Sequence, residues 1–159
     1  MANAISRARV PLSLAPLRLV GCGHDLRVLV EIEKMRRFDW SPFPIVQVQT
    51  PVGRTAVPWC GSPDAVLGRY DVEWAIDIEI SWGLNARLAA EPGPAIFAGS
   101  HCVILRGRLG LTTDGAGVLD LDGSMILLDF VEPPPAEVDA SWVQIYVPHR
   151  DVQLHPFEL

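Results

Sequence analysis

At 159 residues the chain fits one domain and is long enough to bury a core without disulfide or metal staples. It is 49% hydrophobic, 20% charged and 8% aromatic, a globular composition that excludes disorder along the whole length. The formal charge of -6 argues against nonspecific binding to duplex nucleic acid or to an anionic membrane, since both need clustered Lys and Arg.

Arg supplies twelve of the thirteen basic residues, and Lys34 is the one lysine. The three cysteines, Cys22, Cys60 and Cys102, are widely spaced and do not read as a secreted disulfide framework. Met1 to Pro16 holds no apolar run of signal-peptide length. No stretch approaches the roughly 20 apolar residues of a membrane helix. A reducing cytoplasm and no membrane contact are therefore expected. Residues 1–9 read as a disordered segment, and 10–159 as a single β-rich domain.

Fourteen prolines and thirteen glycines chop the chain into short runs, the pattern of a β-sandwich or barrel. Val10 to Cys22 is apolar enough for one or two strands. Leu26 to Lys34 alternates, with Leu26, Val28, Val30 and Ile32 on one face and Leu29 as the exception. Met35 to Pro44 reads as a loop, Ile45 to Thr50 as a strand, and Pro51 to Pro58 as a turn-rich connection. Ser62-Pro63-Asp64 has the chemistry of a helix start, with Ser62 as N-cap and Pro63 at the first helical position.

Asp71 to Trp82 carries the clearest signal. Val72, Trp74, Ile76, Ile78, Ile80 and Trp82 share one face, while Asp71, Glu73, Ala75, Asp77, Glu79 and Ser81 share the other. Period two over this length fits a half-buried strand and no helix. Leu84 to Ala90 is either a short helix or irregular. Ser100 to Leu111, Val118 to Leu121 and Met125 to Val131, joined through Asp114-Gly115 and Asp122-Gly123, predict a three-stranded meander. Pro133-Pro134-Pro135 begins an extended linker. Trp142 to Val147 and Val152 to Leu154 are the last expected strands. The fold expected is all-β: a single domain of about eight to ten short, mainly antiparallel strands, barrel or sandwich, with one or two short helical turns.

Four residue sets could carry chemistry. Cys22, His24, Cys60, His101 and Cys102 hold the thiol and imidazole groups that zinc or a thiolate nucleophile would use. They lack a Cys-x₂₋₄-Cys pair, and neighbours such as His101 and Cys102 point to opposite faces of a strand. Ser-His-Asp combinations exist but sit in no recognisable frame, and no Gly-x-Ser-x-Gly occurs. Glu73 and Asp77 lie on an acidic strand face, which either meets a basic partner or pairs with Arg106 and Arg108 on a neighbouring strand. Arg36, Arg37, Trp40 and Trp59, with Phe38 and Phe43, could form a stacking surface. No glycine-rich phosphate loop, Walker motif or EF-hand pattern is present, so no cofactor is expected.

Without a catalytic frame, the expected function is a non-enzymatic binding or interaction module for a protein or small ligand. An OB-like oligonucleotide or small-ligand binder and a metal-dependent or thiol enzyme are the alternatives. An open edge bearing Arg and Trp would favour a homo-oligomer.

Overall fold

A computed structural model describes residues 26–157. The expectations for 1–9 and for Val10 to Cys22 lie outside the described residues. The strands are β1 (Val28–Arg36), β2 (Ile45–Thr50), β3 (Gly53–Pro58), β4 (Gly68–Ile76), β5 (Ala86–Leu88), β6 (Ala95–Ala98), β7 (Cys102–Leu111), β8 (Gly117–Asp120), β9 (Met125–Leu128), β10 (Trp142–Pro148) and β11 (Val152–Pro156). Two 3₁₀ turns, Ala136–Val138 and His149–Asp151, complete the described elements. The protein is all-β, with eleven strands among the described residues where eight to ten were expected for the chain.

The strands form one curled sheet in the order β11-β4-β1-β2-β3-β6-β7-β10-β5, with β8 and β9 branching from β7. Pairing is antiparallel except between β3 and β6, which meet in parallel at Gly53 and Ile96. Just past β3, Trp59 makes a parallel bridge to Leu154, and the Cys60 N–H donates to the Leu154 carbonyl at 2.8 Å. That contact bends β11 back onto the end of β3, so the sheet curls into a half-barrel around one apolar cluster.

The alternation seen in the sequence is the alternation of burial. In β1, Val28, Val30 and Ile32 point into the core, and Leu29 is turned outward at 51% exposure. A bulge between Ile32 and Lys34 lets Glu33 leave the β1–β2 ladder and pair with Arg54 at 3.1 Å. The meander β7-β8-β9 forms through the two Asp-Gly turns, with Gly115 and Gly123 at positive φ as such turns require.

Three expectations give way to tertiary context. Ser62 caps a single turn, with the Asp64 N–H on Ser62 Oγ at 3.3 Å, and no helix follows. The six residues before Gly68 are too few to repay helix nucleation before β4 begins. The connection 51–58 is mostly strand, because β2 offers a full antiparallel partner from Thr50↔Gly53 to Ile45↔Pro58. Residues 84–90 supply β5, held by β10.

The run from Asp71 to Trp82 keeps its inward face, but it is not one strand. β4 ends at Ile76, and the Asp77 N–H turns to the Asp151 carbonyl at 2.7 Å. Ile80, fully buried, then pairs in parallel with Phe130, and Trp82 bridges Ala86. Periodicity reports the faces of an extended chain. It does not report that the chain changes partners halfway.

Candidate functional site

Two regions gather exposed or half-buried chemistry. The first is the loop 37–44 between β1 and β2. Ser41 holds its shape: its N–H donates to the Phe38 carbonyl at 3.2 Å, and its hydroxyl donates to the Phe43 carbonyl at 2.7 Å. This turn stacks Phe38 on Trp40, with centroids 5.1 Å apart and planes inclined by 26°. Trp40 remains 70% exposed.

Arg36 and Arg37 are exposed beside the stack. Arg37 donates to the Pro63 carbonyl at 3.0 Å and so ties this loop to the 62–67 loop, where Val66 and Leu67 are also exposed. Trp59, expected with this set, is elsewhere. It is 1% exposed, meets Tyr70 edge-on at 5.1 Å, and donates its indole N–H to the Ser62 carbonyl at 3.0 Å. Its ring offers no face to a ligand. The reason is register: Trp59 follows the buried pair Val57 and Pro58 into the barrel closure.

The second region is a cleft of about 480 Å³ lined by β4, β9 and β11, with Leu26 at its border. Glu73 stands opposite His155 on the β4–β11 ladder, and Ala75 stands opposite Gln153. His155 Nε2 lies 3.3 Å from Gln153 Oε1. Burial pushes the Glu73 carboxyl above its ordinary range and the His155 imidazole below its own. Both shifts oppose charge in a poorly hydrated site.

Trp74, Ile76, Met125 and Leu127 supply apolar wall, and Asp77 completes the acidic side. The indole Nε1–H of Trp74 is buried and has no acceptor among the described residues.

The acidic face does not meet Arg106 and Arg108. Those arginines lie on β7, which is not a neighbour of β4. Arg106 pairs with Glu91 at 3.0 Å and donates to the Gly93 carbonyl, while Arg108 lies over the Trp142 ring at 5.2 Å and faces Asp120 in register. Charge spacing in sequence suggested a ladder, but strand order assigns these arginines other partners.

The thiol and imidazole set does not assemble among the described residues. No three His, Cys, Asp or Glu side chains there come together to hold a metal. Cys60 and Cys102 are free thiols, and Cys22 and His24 lie outside the described residues. Burial, and then the Asp77 carboxylate, push the Cys60 thiol up to about 11, which keeps it protonated at neutral pH. His101 is exposed. His149 uses Nδ1 on the Ala56 carbonyl at 2.9 Å.

Sequence reading named Glu73 and Asp77 but missed Gln153 and His155 as their neighbours. Only the β4–β11 register joins them, across some eighty residues of chain, and no local pattern encodes it. No helix among the described residues is long and apolar enough to cross a membrane. Comparison with protein-family models, with curated proteins and with solved structures finds no match to this chain.

Proposed function

We propose that the chain is a non-enzymatic binding module whose contact surface is the 37–44 loop together with Arg36 at the end of β1. The observation that carries this reading is the Phe38–Trp40 stack, which leaves a large ring exposed on a hydrogen-bonded turn. Exposed aromatic rings beside arginines resemble interface hot spots, where Trp, Tyr and Arg contribute most of the binding energy. The turn reduces the ordering cost of binding, because the rings are already held in place.

The test compares the wild type with a Phe38→Ala/Trp40→Ala variant of matched circular dichroism, each immobilised as bait. A partner protein held by the wild type and at least tenfold weaker on the variant supports the reading. Equal retention by both overturns it.

A second reading, an OB-like oligonucleotide or small-ligand binder, is favoured by connectivity. Following the pairing around the half-barrel gives β1-β2-β3-β11-β4-β1, with Trp59 and Leu154 in parallel. That order resembles the path of strands around an OB barrel. In such barrels the loop between the first two strands helps to bind ligand, and here that loop carries Phe38 and Trp40. Titration with single-stranded oligothymidylate at low salt tests it. Salt-dependent quenching of tryptophan fluorescence, lost in Trp40→Ala, supports nucleic-acid binding, and no quenching removes it.

A further inference from the structure

We propose that the outer face of the sheet at β5, β10 and β7 binds an acidic peptide segment with an aliphatic residue beside its carboxylates. This face is separate from the 37–44 loop and does not depend on it.

Charge sets the face apart. The four consecutive strands β6-β7-β10-β5 carry three arginines, Arg87, Arg106 and Arg108, and no carboxylate. They do so in a chain of formal charge -6. Alternation places all three arginines on one side. Val103, Leu105, Val143, Ile145 and Val147 are buried and fill the inner face. Arg106 and Arg108 on β7, and Trp142, Gln144 and Tyr146 on β10, therefore point outward. Arg87 joins them from β5, since Arg106, Gln144 and Arg87 stand opposite one another in a single row. At physiological salt an exposed charge is screened beyond about 8 Å. These local groups, and not the net charge, decide what the face attracts.

Two of the arginines are held in place without an ion pair. Arg87 lies over the Tyr146 ring at 4.8 Å and donates to the Tyr146 hydroxyl oxygen from Nε at 3.1 Å and also from Nη2. Gln144 donates to the same oxygen. The phenol thus occupies one edge of the guanidinium, and the edge formed by Nη1 and Nη2 meets no carboxylate among the described residues. Arg108 lies over the Trp142 ring at 5.2 Å and donates to the Ala140 carbonyl at 3.1 Å, also without an ion pair. Stacking and hydrogen bonding have already restricted both side chains, which lowers the ordering cost of binding. A free guanidinium edge matches a carboxylate bidentately. Arg106 is committed to Glu91 and to the Gly93 carbonyl. Glu91 and Asp120 border the face at Arg106 and Arg108, and neither pairs with Arg87.

Spacing selects an extended ligand. Trp142 and Tyr146 are four residues apart, so the rings that carry the two arginines lie about 13 Å apart along β10. Acidic residues at i and i+4 of an extended peptide span the same distance. Tyr146 continues across the sheet into an apolar row with Ile104 and Phe97, and Phe97 is 39% exposed. That row suits an aliphatic side chain next to the acid. Single-stranded nucleic acid fits less well, because it needs open rings for stacking, and the Tyr146 and Trp142 rings each carry an arginine.

The test follows the anisotropy of a rhodamine-labelled, acetylated peptide, Leu-Glu-Ser-Ser-Ser-Glu, titrated with the full chain at low salt. The peptide should bind at submillimolar chain concentration, and its analogue with Gln for both Glu should bind at least tenfold more weakly. Arg87→Gln and Arg108→Gln, each of matched circular dichroism, should weaken the acidic peptide at least fivefold. Arg54→Gln, which changes the net charge equally from β3, should stay within twofold of wild type. The proposal is overturned if the peptide does not bind, if the Gln analogue matches it, or if Arg87→Gln binds as the wild type does. A loss as large in Arg54→Gln, or in Phe38→Ala/Trp40→Ala, would overturn it too, by placing the contact elsewhere. So would tighter, Arg87-dependent binding of a six-residue oligothymidylate, or a dimer in sedimentation that Arg87→Gln dissolves. The Phe38→Ala/Trp40→Ala arm keeps the failure of this proposal distinct from failure of the loop reading.

Discussion

Glu73 and His155 face one another across the β4–β11 ladder, and burial drives each toward its neutral form. The two shifts act at different pH. The folded state holds the Glu73 proton more tightly than the unfolded chain does. Its contribution to stability is therefore full below about 4.5 and is lost as pH rises through the folded value. The folded state holds the His155 proton less tightly. Its contribution is full above 6.5 and is lost as pH falls through the folded value. Glu73→Gln should raise Tm at pH 7 by roughly 2 °C and leave it unchanged at pH 4. His155→Gln should flatten the fall in Tm below pH 6.5. Thermal melts across pH check both, and a Glu73→Gln gain that persists at pH 4 would falsify the assignment to charge.

Cys60 should react slowly with iodoacetamide at pH 7.5, because its thiol is held up to about 11. Thiolate absorbance in a Cys22→Ser/Cys102→Ser background isolates its titration. Burial is the larger cause and the Asp77 carboxylate the smaller. Asp77→Asn should therefore bring the midpoint down in part and leave it above the ordinary thiol value of 9.0.

Trp59 closes the half-barrel, so its loss should be costly. The side chain is fully buried, packs on Tyr70, and occupies the Ser62 carbonyl. Trp59→Ala should destabilise by about 3–5 kcal/mol, measured by denaturant unfolding. Trp59→Phe keeps part of the packing but leaves the Ser62 carbonyl without its donor, and should cost less.

Gly107 shows how closely β7 approaches its neighbour β8. A Cβ there would sit 2.5 Å from the Asp120 carbonyl oxygen and 3.0 Å from Leu119 Cγ. Backbone cannot swing aside as a side chain can, so Gly107→Ala should cost about 1–3 kcal/mol. Gly110, three residues along the same strand, meets nothing closer than 3.8 Å. Gly110→Ala should stay within roughly 0.5 kcal/mol of wild type. Equal costs at the two positions would contradict the β7–β8 packing.

The Phe38–Trp40 loop should be nearly neutral for folding. Trp40→Ala removes an exposed ring and one stacking contact, so unfolding free energy should change by no more than about 1 kcal/mol. A larger loss would mean that Trp40 supports the fold, and the proposed contact surface would lose its main residue.

The sequence by itself determined the all-β class, the inward face of each alternating run, and the β7-β8-β9 meander. These depend on neighbours along the chain: period-two burial in Val28, Val30 and Ile32, and turn chemistry at Asp114-Gly115 and Asp122-Gly123. It also determined that Val72, Trp74, Ile76 and Ile80 share a face. Tertiary structure alone decided which strands meet. It broke the run from Asp71 to Trp82 at Asp77, buried Trp59 in the barrel closure, and gave Arg106 and Arg108 the partners Glu91 and Trp142 in place of the acidic face. It also set Glu73 opposite His155, with Trp74 beside them. Alternation specifies the side of a sheet on which a residue lies and carries no information about register between distant strands. The candidate cleft depends entirely on that register.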